Sequence, residues 1–192
     1  MRNKYIKIAI DSPAGAGAGT QAKLIAKKYK LFYLDTGKIY RVLAYYKLKN
    51  PNKFNISYVK KKTKNIKIKE LENKKLLSNL IGLEASRISK NKQIRKFVDK
   101  IQIKLANNPP GNFKGSCLDG RDITYKIVPD ADFKFYITAN IKIRALRRYK
   151  ELRKLGKKTT YNDVLKSIKN RDNSDFKRKN SPLKKTKDSL LI

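Results

Sequence analysis

Apolar and polar positions alternate in two short runs early in the chain, and each run is followed by apolar residues at helical spacing. YIKIAI at 5–10 reads as a strand, and TQAKLIAKKYK behind it carries Ala22, Leu24, Ile25 and Tyr29 on a helical repeat. LFYLD at 31–35 is a second strand and TGKIYRVLAYYKL at 36–48 a second helix. Two strand-to-helix steps at this pitch predict an α/β fold with a parallel sheet flanked by helices.

The middle of the chain is less regular. From Asn50 to about Asn79 it is lysine-rich and poorly periodic, which predicts a small inserted segment with one strand pair. Helical patterning returns over 78–107 and ends at NNPPGN, 107–112. CLDGRD at 117–122 reads as a strand running into a loop, and DFKFYITAN at 132–140 as a further strand, alternating and aromatic-rich. A long basic helix, IKIRALRRYKELRKLG, is closed by Gly156. Residues 161–180 begin as a helix and end in a charged stretch, and 189–192 are expected to add the last strand, with no helix behind it.

The 192 residues, of which 40% are hydrophobic, suffice for one domain with a small insertion. The formal charge of +34 raises the question of a nucleic-acid partner. Most of the excess is lysine spread along the whole chain with abundant isoleucine and asparagine, the pattern of an AT-rich coding bias. The expectation is therefore weak, salt-sensitive RNA binding and no specific nucleic-acid partner. There is no histidine, and Cys117 is the single cysteine. Histidine general bases, His/Cys zinc sites and internal disulfides are excluded, and a reducing cytoplasm fits. The apolar run in MRNKYIKIAID is broken by Asp11 and is too short for a signal peptide, and no stretch approaches the length of a membrane span.

Residues 11–20, DSPAGAGAGT, lie where a strand gives way to a helix. A phosphate loop, G-x-x-x-x-G-K-[ST], uses glycines to turn backbone amides inward and a helix N-terminus to attract the anion. Gly15, Gly17 and Gly19 keep that cradle together with Pro13, Ala14 and Ala16, and Thr20 keeps a magnesium-side hydroxyl. Two positions depart from the pattern: Ser12 replaces the first glycine and Ala18 the lysine. Taken alone, the segment is equally well read as a small-residue turn that binds nothing.

LDTGKIYR at 34–41, EASRIS at 84–89, LDGRDI at 118–123, PDADFKFYITA at 129–139, RRYKEL at 147–152 and RDNSDFKR at 171–178 follow one another in an order that resembles bacterial cytidylate kinase. GTQAKLI also looks like adenylate kinase, but LDTG-x-x-YR and DGRD favour the cytidylate branch. The resemblance implies a P-loop NTPase fold of the nucleoside-monophosphate kinase type. It divides the chain into a first core part at 1–49, a monophosphate-binding insertion with its helices at 50–110, and a second core part at 111–192 with a lid at about 147–180. It also implies a cytoplasmic monomer that transfers the γ-phosphoryl group of ATP to CMP or dCMP with Mg²⁺. Carried over position by position, Thr36, Arg41, Arg121 and Arg178 surround the monophosphate, while Ser86, Arg95 and Asp122 read the cytosine. Arg171 and Asp175 hold the sugar hydroxyls, and residues 12–20 with Arg147 and Arg148 hold ATP.

Arginine placement supports this independently, because a planar guanidinium grips phosphate or base edges in a way lysine cannot copy. Arg41, Arg95, Arg121, Arg147, Arg148, Arg171 and Arg178 are read as lying at loop or helix-end motifs, and Arg2, Arg87, Arg144 and Arg153 as lying outside them. Structural alternatives exist for several. Arg41 also reads as a solvated helix cation, Arg121 and Asp122 as partners of each other, Arg147 and Arg148 as a basic helix face, and Asp175 with Arg178 as an i, i+3 ion pair.

Phosphoryl transfer needs alignment and charge neutralisation rather than covalent chemistry, so a histidine-free chain is able to perform it. Arg41, Arg121 and Arg178 are expected to orient the acceptor phosphate. Loss of the loop lysine is expected to cut the rate by about 10²–10³, with Lys23 and Lys38 as substitutes reaching in from other directions. The alternative is a non-catalytic nucleotide-binding protein built on the same shell. Thr124 and Tyr125 depart from the Gly-Thr that usually follows DGRDI, the insertion is short, and the family's terminal helix is not seen.

Overall fold

The computed structural model describes residues 5–192, so Arg2 lies outside the described residues. The chain divides into two compact units, one made of residues up to Leu34 together with Gly111–Ile192, the other of Asp35–Pro110.

The first unit is built on the sheet. Its strands are β1 (Ile6–Asp11), β2 (Phe32–Asp35), β3 (Gly115–Gly120), β4 (Phe133–Tyr136) and β5 (Leu190–Leu191), in the order β2-β3-β1-β4-β5. The pairings β1–β3, β1–β4 and β4–β5 are parallel. Every expected strand outside the 50–79 segment is present, including the terminal one.

Helix α1 (Ala18–Tyr29) follows β1 directly, and its core face differs from expectation. Ala18, Ala22 and Ala26 are buried with Ile8, Ile10 and Cys117, whereas Leu24 and Tyr29 are 57% and 52% exposed. Small side chains on the inner face let the helix backbone approach the sheet closely, so bulk on the outer face misled the apolar periodicity.

Two further helices of this unit, α7 (Ile141–Lys154) and α8 (Tyr161–Lys177), pack through Ala145, Leu152, Val164 and Ile168. Gly156, at φ 71°, follows the end of α7 as expected. The segment after β3 forms a single π-type turn, Ile123–Ile127. β1 and β3 run close at Gly115, where a Cβ would fall 1.9 Å from the Ile6 carbonyl oxygen, so no side chain fits there.

The second unit is helical throughout. It holds α2 (Gly37–Lys49), α3 (Ile56–Lys64), the short α4 (Ile68–Leu71), α5 (Asn79–Ile88) and α6 (Lys92–Asn107), with 3₁₀ turns at Pro51–Lys53 and Lys74–Leu77. Helix α2 packs on α5 and α3 on α6. The expected strand pair in 50–79 does not form. Asn55 caps α3, the Glu70 carboxylate accepts from the Lys67 backbone N–H, and Asn73 and Ser78 cap the next two turns. Val59, Leu71 and Leu76 supply the buried face, too few apolar residues among lysines to register as a helical period.

Candidate active site

In the first unit the loop between β1 and α1 is held from below. The Ser12 N–H donates to the Gly120 carbonyl at 3.2 Å, joining the loop to the end of β3. Gly15 and Gly17 take left-handed φ of 73° and 93°, a backbone that glycine adopts without a Cβ penalty. Gly17 is the N-cap of α1, and its carbonyl accepts from the Thr20 and Gln21 amides. The positive end of the dipole of a twelve-residue helix therefore lies at this loop, an arrangement suited to an anion. Ala18 is buried, and Thr20 is exposed.

An ion pair that the motifs did not single out anchors the loop. Arg144 on α7 donates to the Ala14 carbonyl at 2.8 Å and to Asp172 of α8 at 2.7 Å, and Asp172 also accepts from the Ala14 N–H at 3.1 Å. Both sides of residue 14 are thus gripped by one buried pair. Arg147, one turn further along α7, reaches the same loop: a Cβ added at Gly17 would lie 3.7 Å from its Nη1. Arg148 instead pairs with Glu151 at 2.7 Å.

The end of β3 carries a second network. Arg121 Nε donates to Asp175 Oδ2 at 2.7 Å and its Nη1 to the Gly120 carbonyl at 3.0 Å. Arg178 lies 3.6 Å from Asp175 and 3.9 Å from Asp122, and it also donates to the Ser181 carbonyl. The pairing of Arg121 with Asp122 considered from sequence is replaced by pairing with Asp175, because α8 delivers that carboxylate to the guanidinium. Burial opposes ionisation of Asp175, but Arg121, Arg171 and Arg178 outweigh it and hold its carboxyl below the usual range. Arg121 shows the reverse: burial works against its charge, Asp175 reverses that, and its pKa is raised.

Asp11, fully buried at the end of β1, accepts from the Ile123 and Thr124 amides at 2.9 Å each and from the Thr124 hydroxyl at 2.6 Å. Burial nevertheless raises its pKa. The departure at Thr124 therefore has a structural role, as its hydroxyl is the third donor to this carboxylate.

A magnesium ion carried on a nucleotide keeps most of its waters and takes one or two protein oxygens. The Thr20 hydroxyl and the Asp119 carboxylate fit that donor set; Asp119 Oδ2 would be 3.3 Å from a Cβ on Gly19, so it borders the loop. Of the substitutes for the absent lysine, Lys23 stands over the Tyr33 ring, 5.8 Å from its centroid.

The second unit holds the remaining sequence-derived residues. Thr36 is buried at the N-cap of α2. Arg41 donates to the Leu76 carbonyl at 2.6 Å and lies against Gly82, where a Cβ would meet its guanidinium at 3.1 Å. It is a part-buried group gripping the turn before α5, not a solvated helix cation. Arg95, buried near the start of α6, donates to the Tyr40 hydroxyl at 3.1 Å. Ser86 is half-buried on α5. Lys38 is half-buried in the first turn of α2.

Several arginines expected at loops or helix ends sit inside helices. Arg41, Arg147, Arg148 and Arg171 are interior to α2, α7 and α8, while Arg121 is in a loop and Arg178 caps α8. What sequence reasoning missed is mainly acidic or adjacent: Asp11, Asp119, Arg144 and Asp172. A carboxylate closing the apolar run of β1, and an arginine three residues before Arg147, were the available signals.

No helix among the described residues is long and apolar enough to cross a membrane. Residues 8–192 match the sequence profile described as Cytidylate kinase. The chain is similar to proteins named cytidylate kinase from Bartonella tribocorum, at 42% identity over 98% of this chain and 86% of the relative, and from Thermosipho melanesiensis, at 38% over 97% and 88%. A relative of the same name from Mesomycoplasma hyopneumoniae is 37% identical over the whole of this chain and 87% of its own length. With a profile match spanning nearly every residue from β1 to β5, the chain belongs to the cytidylate kinase family.

Proposed function

We propose that this protein transfers the γ-phosphoryl group of ATP to CMP or dCMP, at a rate lowered by Ala18. The observation that carries this reading is the glycine cradle at the N-terminus of α1, bordered by Asp119 and Arg147, in a member of the cytidylate kinase family. Residues 12–20 bind the triphosphate through amides and the helix dipole, assisted by Arg147 and Arg148. The Thr20 hydroxyl and the Asp119 carboxylate would hold Mg²⁺, which would supply charge neutralisation to the nucleotide's phosphates.

Thr36, Arg41, Arg121 and Arg178 bind the acceptor's phosphate, as the family resemblance implies. Ser86, Arg95 and Asp122 recognise the cytosine, and Arg171 with Asp175 the sugar. An acceptor phosphate oxygen attacks the γ-phosphorus, the bond from that phosphorus to the β–γ bridging oxygen breaks, and ADP leaves with the electron pair. The guanidinium groups disperse the charge of the entering and leaving oxygens, which is most of what the protein contributes to such a reaction.

The three-part division, a first core part at 1–49, an insertion at 50–110 and a second core part at 111–192 with a lid at about 147–180, follows the same reading, as does action in the cytoplasm as a monomer. The decisive experiment is a coupled assay of ADP formation with CMP, dCMP, UMP and AMP as acceptors. Activity confined to CMP and dCMP supports the assignment; equal use of all four removes it.

Ala18 favours one rival, a nucleotide-binding protein that does not turn over. ATP binding without phosphate transfer, persisting in Ala18→Lys, selects that rival.

A further inference from the structure

We propose that Arg147 carries the charge that the phosphate-loop lysine would supply, meeting the terminal phosphoryl group of bound ATP from α7. The inference rests on the phosphoryl-transfer reading above and names the side chain that sustains it in a chain with Ala18.

Three observations place Arg147 in this role. Its Nη1 would lie 3.7 Å from a Cβ on Gly17, the residue immediately before Ala18. It makes no ion pair among the described residues, whereas its neighbour Arg148 is engaged by Glu151 at 2.7 Å. The helix that bears it is fixed against the loop one turn earlier, where Arg144 bonds the Ala14 and Ala139 carbonyls and Asp172. An available guanidinium is thus held at the cradle by a rigid, buried anchor.

The competing cations fit less well. Lys23 is stationed over the Tyr33 ring, one turn inside α1. Arg144 is already spent on the loop backbone and on Asp172. A guanidinium suits the task because charge in the transition state spreads over the equatorial oxygens and the β–γ bridging oxygen, which a planar fork contacts in pairs.

The arrangement predicts dependence on background. A restored lysine would meet the same charge from the loop, making Arg147 partly redundant. Turnover with ATP and CMP is therefore compared for Arg147→Met in the native chain and in Ala18→Lys, with Arg153→Met, an exposed cation further along α7, as the control for net charge. We expect Arg147→Met to lower kcat on the order of 10²-fold in the native chain and less than about tenfold in Ala18→Lys. Arg153→Met is expected to change neither.

Equal losses in the two backgrounds, or no loss in the native chain, overturn the assignment. So does a background-dependent loss in Lys23→Met in place of Arg147→Met. Should no chain, Ala18→Lys included, transfer phosphate, the phosphoryl-transfer reading fails and affinity decides on Arg147 separately. A contact with the terminal phosphate requires Arg147→Met to weaken ATP roughly tenfold more than ADP; an equal effect on both nucleotides overturns the proposal.

Discussion

Arg121 and Asp175 are 54 positions apart in sequence and joined by a hydrogen bond of 2.7 Å, which ties the loop after β3 to α8. Arg178 approaches the same carboxylate from the end of α8. Removing Asp175 therefore leaves two mostly buried guanidinium groups without their shared partner. Asp175→Ala is expected to cost about 3–5 kcal/mol of stability, read as a lowered urea midpoint at pH 7. The pair is also pH-sensitive. Asp175 has a lowered pKa in the folded protein, so its contribution is present above the ordinary carboxylate range and is lost as pH falls through the folded value. Acidification from neutrality toward about pH 3 should narrow the stability gap between the native chain and Asp175→Ala. A gap that widens on acidification contradicts the assigned sign.

Arg144 and Asp172 hold residue 14 by its carbonyl and its N–H together. Arg144→Met leaves the buried Asp172 carboxylate without its cation and the Ala14 carbonyl without its side-chain donor. A loss of about 3–5 kcal/mol is expected in thermal or urea unfolding, with part of it recovered by adding Asp172→Ala, since an unpaired buried charge costs more than an absent pair. A double variant less stable than Arg144→Met alone would show that the pair does not act as a unit.

Cys117 lies on β3, between β2 and β1 in the sheet, and is fully buried. Burial, reinforced by repulsion from Asp119, pushes its thiol up to about 12. Because the thiolate is the reactive form, iodoacetamide at pH 8 should leave the folded protein unmodified and label it rapidly in urea. Labelling at equal rates in both conditions would place Cys117 outside the core.

The buried Arg95 is oriented by the Tyr40 hydroxyl. The proposed contact of Arg95 with the cytosine requires it to act on the acceptor alone. Arg95→Met is expected to raise KM for CMP by roughly ten- to hundredfold, the worth of a hydrogen bond to a charged group, while KM for ATP stays within about twofold. Equal effects on both substrates would assign Arg95 to the architecture of the second unit instead.

The strands were legible because they are short apolar runs punctuated by glycine, proline or acidic residues, and the DSPAGAGAGT turn marked the nucleotide end of the sheet. The face of α1 was not legible: Ala18, Ala22 and Ala26 carry too little bulk to outweigh Leu24 and Tyr29 in an apolar pattern, although close approach to the sheet needs small residues. Helices α3 and α4 were hidden because their stability comes from caps at Asn55 and Glu70 and from single buried residues such as Val59. Within the site, arginines stood out against the lysine background, but their carboxylate partners did not. Asp172 and Asp175 look alike in RDNSD, and only the packing of α8 sends one to Arg144 and the other to Arg121.

The rate of CMP-dependent ADP formation, measured side by side for the native chain and Ala18→Lys, tests most directly whether this chain is a kinase slowed at position 18. Measurable transfer in the native chain, rising when lysine is restored but by less than the roughly 10²–10³-fold that an unreplaced donor costs, because Arg147 already meets part of that charge, is the expected result. Equal rates, or no transfer in either chain, would contradict it.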